Sequence, residues 1–133
     1  MLRSGLFRAC GWIAILGAFV AACDNPSGVR ELNGVSSYAR DQHVVVTNNS
    51  ASPIFTIVVG RNAEARVDYV WPPCVDTAKC PPVQVGDSRV HPYGTLILDP
   101  SEKEVVVHWW HAVPDKFGVP RAGDFGVLIV PLY

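Results

Sequence analysis

The sequence predicts an all-β domain, folded as an antiparallel sandwich of about seven strands. Short β-branched runs recur at intervals of roughly ten residues, a spacing typical of sandwiches. The chain of 133 residues contains 11 prolines and 11 glycines, which favour many turns. No helix-length segment keeps the 3.6-residue apolar period of an amphipathic helix. A small open β-barrel is the alternative that the same pattern allows.

The individual strands are predicted from β-branched or alternating runs that end at turn residues. Ile54–Val59 is apolar on both faces apart from Thr56, so we expect it in the middle of a sheet. The architecture resembles the immunoglobulin-like and fibronectin-like sandwiches of exported bacterial proteins, although the Cys…Trp…Cys spacing of true immunoglobulin domains is absent. The predicted strands are His43–Thr47, Ile54–Val59, Ala65–Trp71, Val83–Val85 with Arg89–His91, Thr95–Leu98, Glu104–His111 and Asp124–Leu132.

The first 22 residues have the composition of an export signal. Arg3 and Arg8 make the start basic, and residues 9–22 carry no charge. That uncharged stretch would form a helix of about 21 Å, which is too short for the ~30 Å hydrocarbon core of a bilayer. A basic region followed by a short apolar region and small residues is typical of a secretory signal peptide.

The sequence Val20-Ala21-Ala22-Cys23 resembles the lipobox of bacterial lipoproteins. The resemblance implies cleavage between Ala22 and Cys23, diacylation of the Cys23 thiol, and an acylated new N-terminus. Two or three acyl chains form a stable membrane anchor, whereas one chain does not. It also implies a domain that faces the periplasm or the exterior; Asp24 after the cysteine leaves the choice between inner and outer membrane open.

Cleavage would change both the charge and the organisation of the chain. The signal segment holds two of the 11 basic residues and none of the 12 acidic ones, so the net charge changes from −1 to −3. A chain with this net charge lacks the excess of basic residues that is typical of nucleic-acid-binding proteins. Residues 23–40 are polar and contain Pro26, Gly28 and Gly34, which predicts a lipidated N-terminus followed by a flexible tether. The sandwich domain is therefore expected over residues 41–133.

Two of the 4 cysteines remain in the predicted mature domain after Cys10 is removed and Cys23 is acylated. Cys74 and Cys80 are flanked by prolines and separated by a short polar loop. An even pair in an exported protein predicts a disulfide bond. The five intervening residues do not fit the CxxC spacing of zinc or redox sites.

The most unusual string in the sequence is Glu104–His111, which contains two adjacent tryptophans. Side chains alternate across a strand, so Trp109 would share a face with Val105 and Val107. Glu104 favours the other face as the outer one. We therefore predict that Trp109 lies in the core and that Trp110 lies outside.

Val106, His108 and Trp110 would then form an exposed patch beside the long connection 112–123. The simpler possibility is that Phe117 or Val119 folds back and covers Trp110. The functional possibility is a recognition surface for a protein or glycan. The candidate recognition patch is Val106, His108, Trp110 and Phe117.

The sequence contains no motif that indicates catalysis, metal binding or phosphate binding. His108 and His111 would lie on opposite faces of a strand, so they would not share a metal ion. No GxSxG, HExxH or glycine-rich phosphate motif occurs. We expect no catalytic residues, no metal and no cofactor. The leading hypothesis is a non-enzymatic cell-envelope lipoprotein with a structural or protein-binding sandwich; the alternative is a carbohydrate-binding module with Trp110, Trp71 and neighbouring tyrosines as a stacking platform.

Overall fold

The computed structural model describes residues 28–68 and 74–132, which form two antiparallel sheets packed face to face. The strands are β1 (Arg30–Leu32), β2 (Val35–Arg40), β3 (His43–Asn48), β4 (Phe55–Gly60), β5 (Ser88–Pro92), β6 (Glu104–Pro114) and β7 (Pro120–Pro131). One sheet has the order β1-β2-β3-β5 and the other has the order β4-β6-β7. The predicted all-β sandwich is confirmed, and the described residues form no closed barrel.

The core lies between the two sheets and is built mainly from valines that alternate with outward-facing residues. In β2 and β3 every second side chain is buried. In the other sheet, β6 is the central strand and pairs with β4 on one side and β7 on the other. The largest buried side chains of this cluster are Val35, Val44, Val46, Ile54, Val105, Val107, Trp109 and Val130.

A close approach between β6 and β7 depends on Gly126. A Cβ atom at this position would lie 2.4 Å from Cε2 and Cζ2 of Trp109, so the indole ring occupies the space that a side chain would fill. Gly126 is the cross-strand neighbour of Trp109 in the β6–β7 pair. A glycine is therefore required where the largest core side chain packs against backbone.

The tether predicted over residues 23–40 is wrong in its second half. Residues 30–40 form β1 and β2, so the domain begins before residue 41. Val35, Ser37 and Ala39 are all buried. The hydroxyl of Ser37 donates to the carbonyl of Val45 (2.8 Å), so this polar side chain is satisfied at its buried position. Because one inward position of β2 is a serine, its apolar residues do not alternate regularly, and the sequence pattern did not indicate a strand here. Residues 1–27, with the signal segment, Ala22 and Cys23, lie outside the described residues.

The strand predicted at Ala65–Trp71 is also wrong where the structure describes it. A short helix, α1 (Arg61–Glu64), follows β4 directly, and a turn follows the helix. The carboxylate of Glu102 accepts hydrogen bonds from the backbone N–H groups of Asn62 (2.8 Å) and Ala63 (3.3 Å). This remote carboxylate caps the helix, an interaction that local sequence does not reveal. Residues 69–73 lie outside the described residues.

Three other boundaries differ from those predicted. Thr95–Leu98 is not a strand, because Tyr93–Thr95 forms a 3-10 turn and the backbone then bends away. Near Val83 only an isolated bridge to Ile54 forms. The connection predicted over residues 112–123 is largely strand, because β6 and β7 continue beyond the sandwich as a hairpin.

Candidate functional site

The predicted alternation along β6 is confirmed. Val105, Val107 and Trp109 lie in the core between the sheets. Trp109 is 1% exposed, as expected for the inward position. Val106, His108 and Trp110 lie on the outer face of the three-stranded sheet, opposite residues of β4 and β7 that face the same way.

Trp110 is nevertheless buried, so its predicted exposure is wrong. It is 1% exposed, and its indole N–H donates to the carbonyl oxygen of Cys74 (2.7 Å). Its ring stacks on Phe55, with centroids 6.1 Å apart and planes inclined by 17°. Trp110 therefore cannot serve as an exposed stacking platform for a glycan, and Trp71 lies outside the described residues.

The remaining members of the predicted patch do not form one surface. Val106 is 3% exposed and packs with Val59 and Ala63, which brings α1 over this part of the sheet. The ring of His108 is mostly buried, and its Nε2 forms a hydrogen bond with the carboxylate of Glu64 of α1. Phe117 is 78% exposed at the tip of the β6–β7 hairpin and does not cover Trp110. The patch is thus covered by the chain that follows β4, and not by residues 112–123.

The predicted disulfide between Cys74 and Cys80 is present, with Cα atoms 6.4 Å apart. Within its loop, the Asp76 carbonyl accepts the N–H groups of Lys79 (3.0 Å) and Cys80 (2.9 Å). The Asp76 carboxylate accepts the N–H of Ala78 (2.9 Å). These bonds fix the loop, and the loop fixes the Cys74 carbonyl that receives the Trp110 indole.

The exposed apolar surface lies instead on the β6–β7 hairpin. Among the residues that the structure describes, ten large hydrophobic side chains are exposed, and six of them belong to this hairpin. The hairpin surface, as we call it, consists of Val113, Phe117, Val119, Phe125, Val127 and Ile129.

No known protein family, curated protein or solved structure matches this chain. Function is therefore inferred from the residues and contacts of the chain itself. No helix among the described residues has the length and apolar character needed to cross a membrane.

The β7 half of the hairpin surface is an edge strand with an uncharged run. Residues 125–130 contain no charge and no proline, and among the described strands β7 pairs with β6 alone. Phe125, Val127 and Ile129 face outward, and Leu128 and Val130 face the core. The sequence did not predict this surface because residues 125–130 are all uncharged and mostly apolar, a pattern that is typical of a strand buried on both faces. Soluble proteins usually protect such edges with charges or prolines.

The tip of the hairpin is held in one conformation by Asp115. Its carboxylate accepts the N–H groups of Phe117 (2.8 Å) and Val119 (3.0 Å) and pairs with the guanidinium of Arg121 (3.3 Å). These backbone hydrogen bonds, with Arg121, hold the pKa of Asp115 below its usual value. Gly118 adopts a φ of 76°, which the turn requires. Because the backbone of the turn is already held in place, it loses little conformational entropy when a partner binds Phe117.

A hydrolytic dyad is suggested by Ser52 and His111 but does not fit the hydrogen bonds. Ser52 Oγ lies 2.8 Å from His111 Nδ1, and the carbonyl of Pro53 lies 3.1 Å from the same nitrogen. A carbonyl only accepts, so Nδ1 carries the proton and does not act as a base toward Ser52. The described residues contain no group of three or more potential metal ligands.

Proposed function

We propose that the protein is a lipid-anchored, non-enzymatic component of the bacterial cell envelope, whose sandwich presents the hairpin surface to another protein. The observation that carries the binding role is the concentration of exposed apolar side chains on one hairpin. Several exposed apolar side chains on one element are typical of interaction sites in soluble domains.

The anchor rests on the N-terminal sequence. A basic start, an uncharged stretch and Val20-Ala21-Ala22-Cys23 together match the order of features in lipoprotein signals. The disulfide between Cys74 and Cys80 supports export, because such bonds persist in oxidising compartments.

The direction of β1 supports a hairpin that points away from the membrane. β1 runs toward the end of the sandwich where the hairpin projects, because the Gly34 carbonyl accepts the N–H of Asn49 there (2.7 Å). Gly28 and Val29, which precede β1, therefore lie toward the opposite end of the sandwich. The five residue steps from Cys23 to Gly28 span at most about 18 Å. The four residue steps from Trp110 to Pro114 extend the hairpin by about 13 Å in the other direction, so we expect its tip to point away from the anchor.

The binding role is tested by a photo-crosslinking amino acid at residue 127 in intact cells. Val90 lies on the other sheet and is 54% exposed, compared with 42% for Val127, so residue 90 is the matched control. We expect an adduct with one recurrent second protein from residue 127 only, and its loss in the variant Ile129→Lys. Equal adducts from both positions, or none from residue 127, would contradict the proposed binding role; an adduct of twice the monomer mass would identify the partner as a second copy.

The anchor is tested by metabolic labelling with a palmitate analogue. The wild-type chain should incorporate the label and sediment with membranes, and Cys23→Ser should do neither. Cys10→Ser is the matched control and should behave as the wild type, because Cys10 would be removed with the signal segment. Label in the Cys23→Ser variant would contradict the anchor.

A further inference from the structure

The two sheets of the sandwich differ in width on the side where β1 and β7 meet. β1 is the edge of the four-stranded sheet, and β7 is the edge of the three-stranded sheet. β7 lies over both β1 and β2, so the opposite sheet covers β1 only in part. No described strand lies beside β7 on its open side. A fourth strand added there would face β1.

The backbone of β7 presents hydrogen-bonding groups to this open side. The N–H of Leu132 donates to the carbonyl of Lys103, just before β6 (2.8 Å). Backbone groups of an antiparallel strand point alternately to its two sides, so the even-numbered residues of β7 bond to β6. Val127 and Ile129 therefore direct their N–H and C=O groups to the open side, and they face no partner strand among the described residues.

The core-facing side of β1 is exposed to solvent. Arg30 and Leu32 are the cross-strand partners of Ser37 and Val35, which are buried between the sheets. Cross-strand partners share a face, so Arg30 and Leu32 point toward the opposite sheet. Leu32 is nevertheless 38% exposed, and Arg30 is exposed as well. Arg30 forms no ion pair with any residue that the structure describes.

Arg30 lies at about the height of Leu128 in the sandwich. Asn33 and Phe125 line one cleft at the end from which the hairpin projects. β1 and β7 both extend away from that end, so Arg30 lies three residues below Asn33 and Leu128 lies three residues below Phe125. Each step of three residues covers about 10 Å. The inward side of an added strand would therefore meet Arg30 midway along the uncharged run 125–130.

We propose that the partner of the hairpin surface adds an extended strand to β7, with apolar side chains on its outer face and a carboxylate facing Arg30. This inference rests on the proposed binding role and names the class of partner. Main-chain hydrogen bonds to Val127 and Ile129 would supply affinity, and the alternate side chains of the added strand would supply specificity. The added strand would also cover Leu32.

A second copy of the chain does not fit this description. Residues 125–130 contain no acid that could face Arg30. Two copies anchored in one membrane would also point their β7 strands in the same direction, whereas antiparallel pairing requires opposite directions. The added strand is therefore expected to come from a different protein.

The test is amide hydrogen exchange, measured by NMR, on the detergent-solubilised mature chain with the peptide acetyl-Val-Thr-Val-Glu-Val-Thr-Val-amide. In an extended peptide the valines share one face and the glutamate lies on the other. We expect the amides of Val127 and Ile129 to exchange rapidly in the free chain and to gain protection saturably with the peptide. The amides of Leu128 and Val130 are the internal control, because they are already bonded to β6.

A change of charge tests the carboxylate separately from the strand. Replacing the glutamate of the peptide by lysine should weaken binding to the wild-type chain. Arg30→Glu should shift the ratio of the two affinities toward the lysine peptide by at least about fivefold, because an attractive pair becomes a repulsive one. Arg40→Glu is the matched control and should keep the wild-type preference, since this exposed arginine ends β2.

Four results would overturn the proposal. The first is a lack of protection of Val127 and Ile129, and the second is equal protection by a peptide with N-methylated valines, which cannot donate to β7. An unchanged preference in Arg30→Glu would contradict the carboxylate. Protection that rises with the concentration of the chain alone would identify the added strand as a second copy. A recurrent crosslink from residue 127 in cells without protection by the peptide would overturn only this inference and not the proposed binding role.

Discussion

The outer face of the three-stranded sheet is closed over β4 and β6 and open over β7. Over the first two strands, α1 packs on Val106 and the disulfide loop accepts the Trp110 indole. Over β7, Phe125, Val127 and Ile129 are 62%, 42% and 39% exposed. One sheet therefore carries apolar outer residues in two different environments, and the difference comes from α1 and the disulfide loop, which lie over β4 and β6.

The largest effects should come from the two adjacent tryptophans. Each is 1% exposed, so Trp109→Ala and Trp110→Ala should both lower the free energy of unfolding by about 3–5 kcal/mol. Urea denaturation of the two variants measures the losses. A small loss in Trp110→Ala alone would mean that the outer face is open over β6 as well.

Gly126→Ala should be the next most harmful change. The new methyl group would collide with the buried Trp109 ring, so either the ring or the backbone of β7 would have to shift. Overpacking of this kind costs about 1–3 kcal/mol. Gly94→Ala, where a Cβ atom would meet nothing within 4 Å, is the control and should melt close to the wild type.

Removal of the disulfide should have a moderate effect. The double variant Cys74→Ala/Cys80→Ala should lose about 2 kcal/mol, the value that loop entropy gives for a ring of this size. It should also increase oxidation of Trp110 in hydroxyl-radical footprinting, because the Cys74 carbonyl would no longer be held. Unchanged protection of Trp110 would show that the loop is not its cover.

The smallest effect concerns the dependence of stability on pH. Burial, with a further contribution from Arg89, lowers the pKa of His91 from 6.5. The unfolded chain therefore takes up this proton at higher pH than the folded chain does, so stability should fall as the pH drops below 6.5. Thermal melts at pH 7.5 and 5.5 should show a smaller decrease for His91→Gln; an identical decrease would rule out this contribution.

The local sequence pattern predicted the features that do not depend on which distant segment packs against them. The alternation of Val105, Val107 and Trp109 identified the inward face of β6, and cysteine parity identified the disulfide. The sequence did not reveal which segment covers the outer face. α1 depends on Glu102, and the burial of Trp110 depends on the Cys74 carbonyl; both contacts join residues about 40 positions apart in the chain.

One matched pair of variants tests the difference between the two regions most directly. Val106 and Ile129 are cross-strand partners on the same outer face, the first under α1 and the second on the open strand. Urea denaturation of Val106→Asp should show a loss of about 3 kcal/mol or more, because a carboxylate is buried without a partner. Ile129→Asp should lose no more than about 1 kcal/mol, because water still reaches that position. An equal or larger loss for Ile129→Asp would contradict an open β7 surface.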